Sequence, residues 1–326
     1  MARARSLSEF AAISRLQALF RAQGPFVSVG IGDDAAVLEP AGRLVWTVDT
    51  AVEQVHFERA WLTLPDLGWR SLQAAASDVS AMGAAPLAAL SSIIFPPGFS
   101  ESELSQLARG QRAAARSLGC QVIGGNLARG NELSITTTLV GRCARPILRS
   151  GAEPGDELWL CGELGLAAAG LRLLQRGVKR ASNSAARRAL LAFRRPRAQL
   201  EAGLGMRRAH AAIDVSDGLA GDAVHLARAS AVRLVIDLAL LEAGLSPALR
   251  TVARQLSVSA LELALYGGED YALVVAGPRR ARPPGARVIG NVTQGAGVWL
   301  LQAGRLRRAG GGFEHSGGRK PLRVGR

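Results

Sequence analysis

Near its start the chain places Phe10, Ile13, Leu16 and Phe20 at helical spacing, and Ser6 with Glu9 forms a capping-box pattern ahead of them. Gly30-Ile31-Gly32-Asp33-Asp34 then breaks the period. The apolar run Leu44–Asp49 reads as a strand ending on a carboxylate, and the next periodic stretch predicts a helix over 67–82. A strand is expected over 87–95, stopped by Pro96-Pro97, and a helix over 101–118. A short strand over 121–123 runs into Gly124-Gly125-Asn126, and residues 133–141, with three successive threonines, read as a further strand. This half alternates strand and helix through loops rich in glycine and acidic groups.

The pattern changes at Arg149-Ser150-Gly151-Ala152-Glu153-Pro154-Gly155-Asp156, a turn-rich stretch that divides the chain into domains at 1–149 and 150–326. The second half predicts a strand over 157–161 and a helix near 165–174. An Ala-rich basic segment, 177–197, reads as a surface helix. Ile213-Asp214-Val215-Ser216-Asp217-Gly218 reads as a strand-to-helix turn. Strands are expected over 233–238 and 271–275, and a late hairpin over 298–307 turns at Ala303-Gly304. No repeat of solenoid period is present.

Composition narrows the function classes. The 326 residues suffice for two domains, and 48% apolar content supports a sizeable core. The net charge of +14 invites a nucleic-acid reading, but Lys179 and Lys320 are the only lysines and the arginines are scattered. With only 5% aromatic residues, none interleaved with those arginines, the stacking surface of a single-strand binder is lacking. The field instead suits small anionic ligands, and no nucleic-acid partner is expected. Cys120, Cys143 and Cys161 match neither a zinc nor a CxxC spacing, which points to reduced thiols in a reducing compartment. Glu9, Arg15 and Arg21 interrupt any leader core, and no stretch reaches the ~20 apolar residues of a membrane span. A cytoplasmic protein with no membrane partner is the expectation.

Neither lysine is followed by Ser or Thr after a glycine loop, so a P-loop is excluded, and protein-kinase motifs are missing. Carboxylates do recur at strand ends and glycine turns: Asp33-Asp34, Asp49, Asp78, Asp214, Asp217 and Glu269-Asp270. Taken singly, each has a bland reading. Gly32-Asp33-Asp34 is a capped turn, Asp214–Gly218 is an N-cap and turn, Gly267–Asp270 is a loop, and His56 is a structural histidine. Together, in apolar surroundings, they form a set that stays ionised if hard cations compensate it. Magnesium, which binds through one or two carboxylates and substrate phosphates, suits such a set and phosphoryl transfer.

Gly30–Asp34, Asp49 with His56-Phe57, Ser77–Gly83, Gly124-Gly125-Asn126, Arg149–Ala152, Ile213–Leu219 and Gly267–Tyr271 occur in one order over about residues 10–313. In that order they resemble the thiamine-monophosphate kinase family, within the aminoimidazole ribonucleotide synthetase-like ATP-binding superfamily. The resemblance implies an α+β N-terminal domain, whose mixed sheet pairs across a homodimer, followed by an α/β C-terminal domain. It implies ATP as co-substrate, several magnesium ions, and direct phosphorylation of thiamine monophosphate to thiamine diphosphate with release of ADP. By residue matching, Asp34, Thr47, Val48, Asp49, Asp78, Asn126, Asp214 and Asp217 are implied metal ligands, Val48 through its carbonyl, with Asp33 in support. Asp34, Asp49, Asp78, Asp214 and Asp217 carry the implied catalysis. Gly125, Asn126, Arg149 and Ser216 are implied ATP contacts, and His56, Glu269 and Phe313 substrate contacts. Four positions depart from the family pattern: Val48, Asn126 in place of an Asp, Leu118 in place of an aromatic, and Gly162–Ala167 without an Asp-Ser pair. They bear on affinity more than on reaction type. The alternatives are another enzyme of that superfamily and a non-catalytic nucleotide sensor.

Overall fold

Residues 9–20, 27–29, 37–38 and 40–309 are described by a computed structural model of the chain. Helix α1 (Glu9–Phe20) leads into the short antiparallel pair β1 (Val27–Val29) and β2 (Val37–Leu38). Then follow β3 (Arg43–Val52), α2 (Leu64–Ala81), β4 (Ala85–Phe95), α3 (Glu101–Leu118), β5 (Gln121–Arg129) and β6 (Ser134–Cys143). Ser6 lies outside the described residues. Both long helices start as the sequence chemistry dictates. Thr63 accepts from the Asp66 amide ahead of a proline-led first turn, and Ser100 with Glu103 forms a full capping box. Gly119, at φ 69°, ends α3 in the left-handed region.

These strands form a mixed sheet in the order β3-β6-β4-β5, with the β4–β5 pair parallel. One face packs Val45, Ala89, Val122 and Leu139 under Trp69, Leu72, Ala76 and Val79 of α2 and Ala114, Ala115 and Leu118 of α3. The two helices touch backbone to backbone: a β-carbon on Gly68 would lie 2.1 Å from the Leu107 carbonyl oxygen, and one on Gly110 2.1 Å from that of Pro65. The other face of the sheet is largely open, with Trp46 61% and Val48 63% exposed.

The second half runs β7 (Glu157–Cys161), α4 (Leu166–Gln175), α5 (Ser184–Arg194), α6 (Leu200–Gly205), β8 (Ala211–Val215) and α7 (Leu219–Ser230). It continues with β9 (Arg233–Asp237), α8 (Leu238–Ala243), α9 (Pro247–Gln255), α10 (Ala260–Tyr266), β10 (Ala272–Gly277), β11 (Arg287–Thr293), β12 (Gly297–Gln302) and β13 (Arg305–Arg308). Its sheet has the order β13-β12-β9-β11-β7-β10-β8, antiparallel throughout except for β9–β12. The basic 177–197 stretch contributes a helix only over Ser184–Arg194. Its Ala186, Ala189, Leu190 and Phe193 are buried, so it is a packed element rather than a surface-lying one. The strand expected from Tyr271 begins at Ala272, because Tyr271 takes a positive φ of 50°. Helices α8–α10 and strand β11 went unpredicted. They are short, and turn residues such as Gly244, Ser257 and Gly267 interrupt their periods.

The two halves are joined across α2. Trp69 Nε1 donates to the Pro196 carbonyl at 2.7 Å, Arg195 Nε donates to Asp66 Oδ1 at 2.5 Å, and the Ala198 amide donates to Gln73 Oε1 at 2.9 Å. Arg194 Nε donates to the Trp61 carbonyl at 3.0 Å. The end of the basic stretch, at Arg194 and Arg195, therefore helps hold one half on the other. Among the described residues, no helix is long and apolar enough to cross a membrane.

Candidate active site

The site is built where α2 passes between the two sheets. Strand alternation puts Thr47 and Asp49 of β3 on the helix-facing side and turns the Val48 side chain to the open face. Thr47 Oγ1 donates to Asp78 Oδ2 at 2.5 Å. One residue earlier on α2, Ser77 Oγ donates to Asp214 Oδ2 at 2.8 Å, on edge strand β8 of the second sheet. Consecutive residues of one helix thus tie a carboxylate to each half. Burial, and then the negative charge of Asp78, push the Asp49 carboxyl above its ordinary range. The same two causes push Asp214 up to about 6, against the pull of its Ser77 hydrogen bond and of the Arg149 guanidinium.

The turn after β8 is stabilised from within α7. Asp222 accepts the amides of Ser216 and Asp217, each at 3.0 Å, and burial pushes its carboxyl up to about 7. The Gly267–Tyr271 loop lies against this turn: the Glu269 amide donates to the Ser216 carbonyl at 2.7 Å and the Tyr271 amide to that of Val215 at 2.9 Å. Glu269 and Tyr271 adopt φ values of 67° and 50°, a left-handed backbone that side-chain-bearing residues rarely hold. Asp270 between them anchors the loop. Its carboxylate accepts the amides of Gly165 and Ala167 at the start of α4, which has no cap of its own. Burial raises the Asp270 carboxyl to about 7.

Between these elements lies a cavity of about 60 Å³, lined among others by Asp49, His56, Phe57, Arg70, Glu269 and Tyr271. His56 Nδ1 accepts the Val52 amide at 3.1 Å, which orients its ring, and its charge when protonated favours ionised Asp49. Strand register carries the row Asp49–Thr137–Ser91–Gly125 across the first sheet. Gly125 has a φ of 154°, and a β-carbon there would lie 1.9 Å from the Ser91 carbonyl oxygen, so only glycine keeps β5 against β4 at this point. Asn126 sits in the next row, opposite Ser92 and in line with Thr136 and Thr50, on the open face rather than beside Asp78 and Asp214.

Thr47, Asp49, Asp78, Asp214, Arg149, Ser216, Asp217, His56 and Glu269 therefore gather around one junction, while Gly125, Asn126 and the Val48 side chain stand along or across the first sheet. Asp33, Asp34 and Phe313 lie outside the described residues. Among the described residues, no three His, Cys, Asp or Glu side chains close into a cage that could hold a metal unaided. The donor set is nonetheless all oxygen, and its raised carboxyls are what a hard cation would reverse. It fits ions that complete their shells with water and phosphate oxygens, as magnesium does.

Two family models match the chain: "AIR synthase related protein, N-terminal domain" over residues 32–143 and its C-terminal counterpart over 153–299. The thiamine-monophosphate kinase of Mycobacterium tuberculosis is 36% identical over 294 residues, covering 89% of this chain and 86% of that protein. The chain belongs to the thiamine-monophosphate kinase family. The crystal structure of the thiamine-monophosphate kinase from Stenotrophomonas maltophilia superposes with a TM-score of 0.80 at 35% identity, over 90% of this chain and 96% of that one. AaThiL complexed with AMPPCP and TMP superposes with a TM-score of 0.79 at 31% identity, over 97% of this chain and 99% of its own.

Within this thiamine-monophosphate kinase fold, sequence reasoning missed Arg70, Asp222 and the capping role of Asp270. For Arg70 the signal was present. Positions 70, 74 and 77 lie on one side of the helix at i, i+4 and i+7, so spacing alone puts Arg70 on the face that carries Ser77. Asp222 and Asp270 gave no such signal, because their partners are backbone amides that only the tertiary fold brings near.

Proposed function

We propose that this chain transfers the γ-phosphoryl group of ATP to thiamine monophosphate, giving thiamine diphosphate and ADP. The observation that carries the reading is the junction on α2, where Asp78 is bonded to Thr47 of the first sheet and Ser77 to Asp214 of the second, beside the cavity that Asp49, His56 and Glu269 line. A phosphate oxygen of the acceptor bonds to the γ-phosphorus as the bond from that phosphorus to the β,γ-bridging oxygen breaks. The acceptor oxygen is already anionic at neutral pH, so no side chain need remove a proton. The difficulty is repulsion between two polyanions. Magnesium, held by Asp34, Thr47, Asp49, Asp78, Asp214 and Asp217, would supply charge neutralisation at the phosphates. Arg149, whose charge already acts on Asp214, assists at the ATP phosphates together with the turn at Ser216. His56 and Glu269 contact the acceptor. Residues 1–149 supply the nucleotide and metal half of the site, and residues 150–326 complete it.

The test is a product assay. Purified protein with Mg-ATP and thiamine monophosphate is expected to yield thiamine diphosphate and ADP in equal amounts, with none from thiamine and none after EDTA. AMP formed from thiamine would point instead to a pyrophosphokinase, and nucleotide binding without product to a sensor.

We also propose a cytoplasmic homodimer formed through the open face of the first sheet. Leu44, Trp46 and Val48 of β3 and Leu90 and Ile94 of β4 are 41%, 61%, 63%, 38% and 38% exposed, large apolar side chains on one face of the sheet that a second copy would cover. Trp46→Glu is expected to shift the sedimentation coefficient from dimer to monomer. A monomeric wild type would remove the proposal.

A further inference from the structure

Arg70 is buried between the two halves, and no role described above uses it. Its side chain is 7% exposed. One terminal nitrogen donates to the Phe193 carbonyl at the end of α5, the other forms an ion pair with Glu269 Oε1, and the guanidinium lies 4.7 Å from the centre of the Phe193 ring. It also forms part of the wall of the cavity that Asp49, His56, Glu269 and Tyr271 share. One hydrogen bond, one ion pair and an aromatic face fix the direction of this buried cation, since its planar fork leaves little freedom once two directions are taken. Glu269, by contrast, sits on a left-handed backbone whose amide is bonded to the Ser216 carbonyl, which fixes its main chain and leaves its side chain to be aimed by a partner. Without a partner its carboxylate would be free to swing away from the cavity.

We propose that Arg70 is the positioning residue for Glu269. It holds that carboxylate aimed at the acceptor pocket, so that the cationic part of the acceptor, not the nucleotide, is what it governs. This rests on the reading of Glu269 as an acceptor contact. The geometry favours positioning over direct phosphate binding, because both terminal nitrogens are already engaged and the aromatic ring covers one face of the guanidinium. The arrangement also links acceptor recognition to α5, since the same guanidinium that holds Glu269 is fixed by the Phe193 carbonyl.

The experiment is steady-state kinetics on wild type, Arg70→Met, Arg70→Lys, Glu269→Gln and the Arg70→Met/Glu269→Gln double variant, each first checked for native circular dichroism. Wild-type turnover tests the kinase reading by itself; without turnover, the affinity of each variant for thiamine monophosphate, measured by calorimetry, carries the same comparison. Given turnover, Arg70→Met should raise the KM for thiamine monophosphate by roughly ten- to a hundredfold, the worth of one charge-assisted contact, with the KM for ATP unmoved. Arg70→Lys should recover part of that loss. The double variant should be no worse than Glu269→Gln alone. Additive effects, or equal damage to both KM values, would overturn the proposal. So would an Arg70→Met variant that folds and keeps the wild-type KM for the acceptor. If Arg70→Met does not fold, Arg70→Lys set against Glu269→Gln carries the same comparison.

Discussion

Asp214→Asn is expected to lower turnover on the order of 10³-fold while leaving the protein folded, a loss typical of removing one preorganised electrostatic group. The substitution is nearly isosteric and keeps an oxygen for the Ser77 hydroxyl. What it deletes is a charge. In the absence of bound ions that charge is a burden, because Asp214 is 6% exposed and burial has raised its carboxyl to about 6. A folded pKa above the unfolded one means the native state holds its proton more tightly, so stability is fullest below about pH 4 and declines as pH rises through about 6. At pH 8 without metal the Asn variant should therefore melt no earlier than wild type. Wild type should gain more in Tm from Mg-ATP, since only it offers the anionic ligand. Calorimetry with and without Mg-ATP, set beside turnover, checks both halves. Near-normal turnover would sink the assignment of Asp214, and a variant that fails to fold would make the carboxylate structural.

Gly110→Ala is expected to cost stability despite placing a better helix former in α3. Its β-carbon would meet the Pro65 carbonyl oxygen at 2.1 Å, and Gly68 makes the reciprocal approach to Leu107, so neither helix can yield locally. Overpacking against backbone belongs at the upper end of its range, about 3 kcal/mol, and alanine's helix propensity returns about 1 kcal/mol. The net of roughly 2 kcal/mol corresponds to a Tm lower by about 4–8 °C for domains of this size. Gly110→Leu should fail to fold. The alanine variant has a functional signature as well: α2 carries Arg70, Ser77 and Asp78, so pushing it away from α3 should reduce kcat in the fraction that remains folded. An unchanged Tm would show that the helices separate freely.

How much of this was legible beforehand follows from the range over which each feature is encoded. The helix over 101–118, the strand carrying Asp49 and the Asp214–Gly218 turn are local patterns and were legible, although β3 runs past Asp49 to Val52 instead of ending on that carboxylate. The joint order of glycine and aspartate motifs carried the family and the two-domain plan. Three kinds of information stayed hidden. Pairing order in the second sheet, where β10 enters between β7 and β8, depends on contacts far apart in the chain. The short helices α8–α10 derive their stability from packing rather than from a long apolar period. The supports of the site, Asp222 and Asp270, bond backbone amides, which have no residue type to read. Arg70 falls between these cases: its face on α2 was computable from spacing, but its partner Glu269 was not.

The strand order has a consequence for how the protein comes into being at the ribosome. The first sheet is complete once Cys143 has emerged, so Asp49 and Asp78 can meet early. Among the described residues, strand β8, which carries Asp214, is an edge strand whose one strand neighbour is β10, ending at Gly277. Until those later residues are synthesised, the nascent chain holds a first half whose sheet is complete and an Asp214 strand that has the Leu148 carbonyl and Ser77 as partners but lacks its ladder with β10. The second wall of the carboxylate cluster is thus among the last parts of the protein to take shape, and a chain truncated before β10 lacks the strand that would hold Asp214 in place.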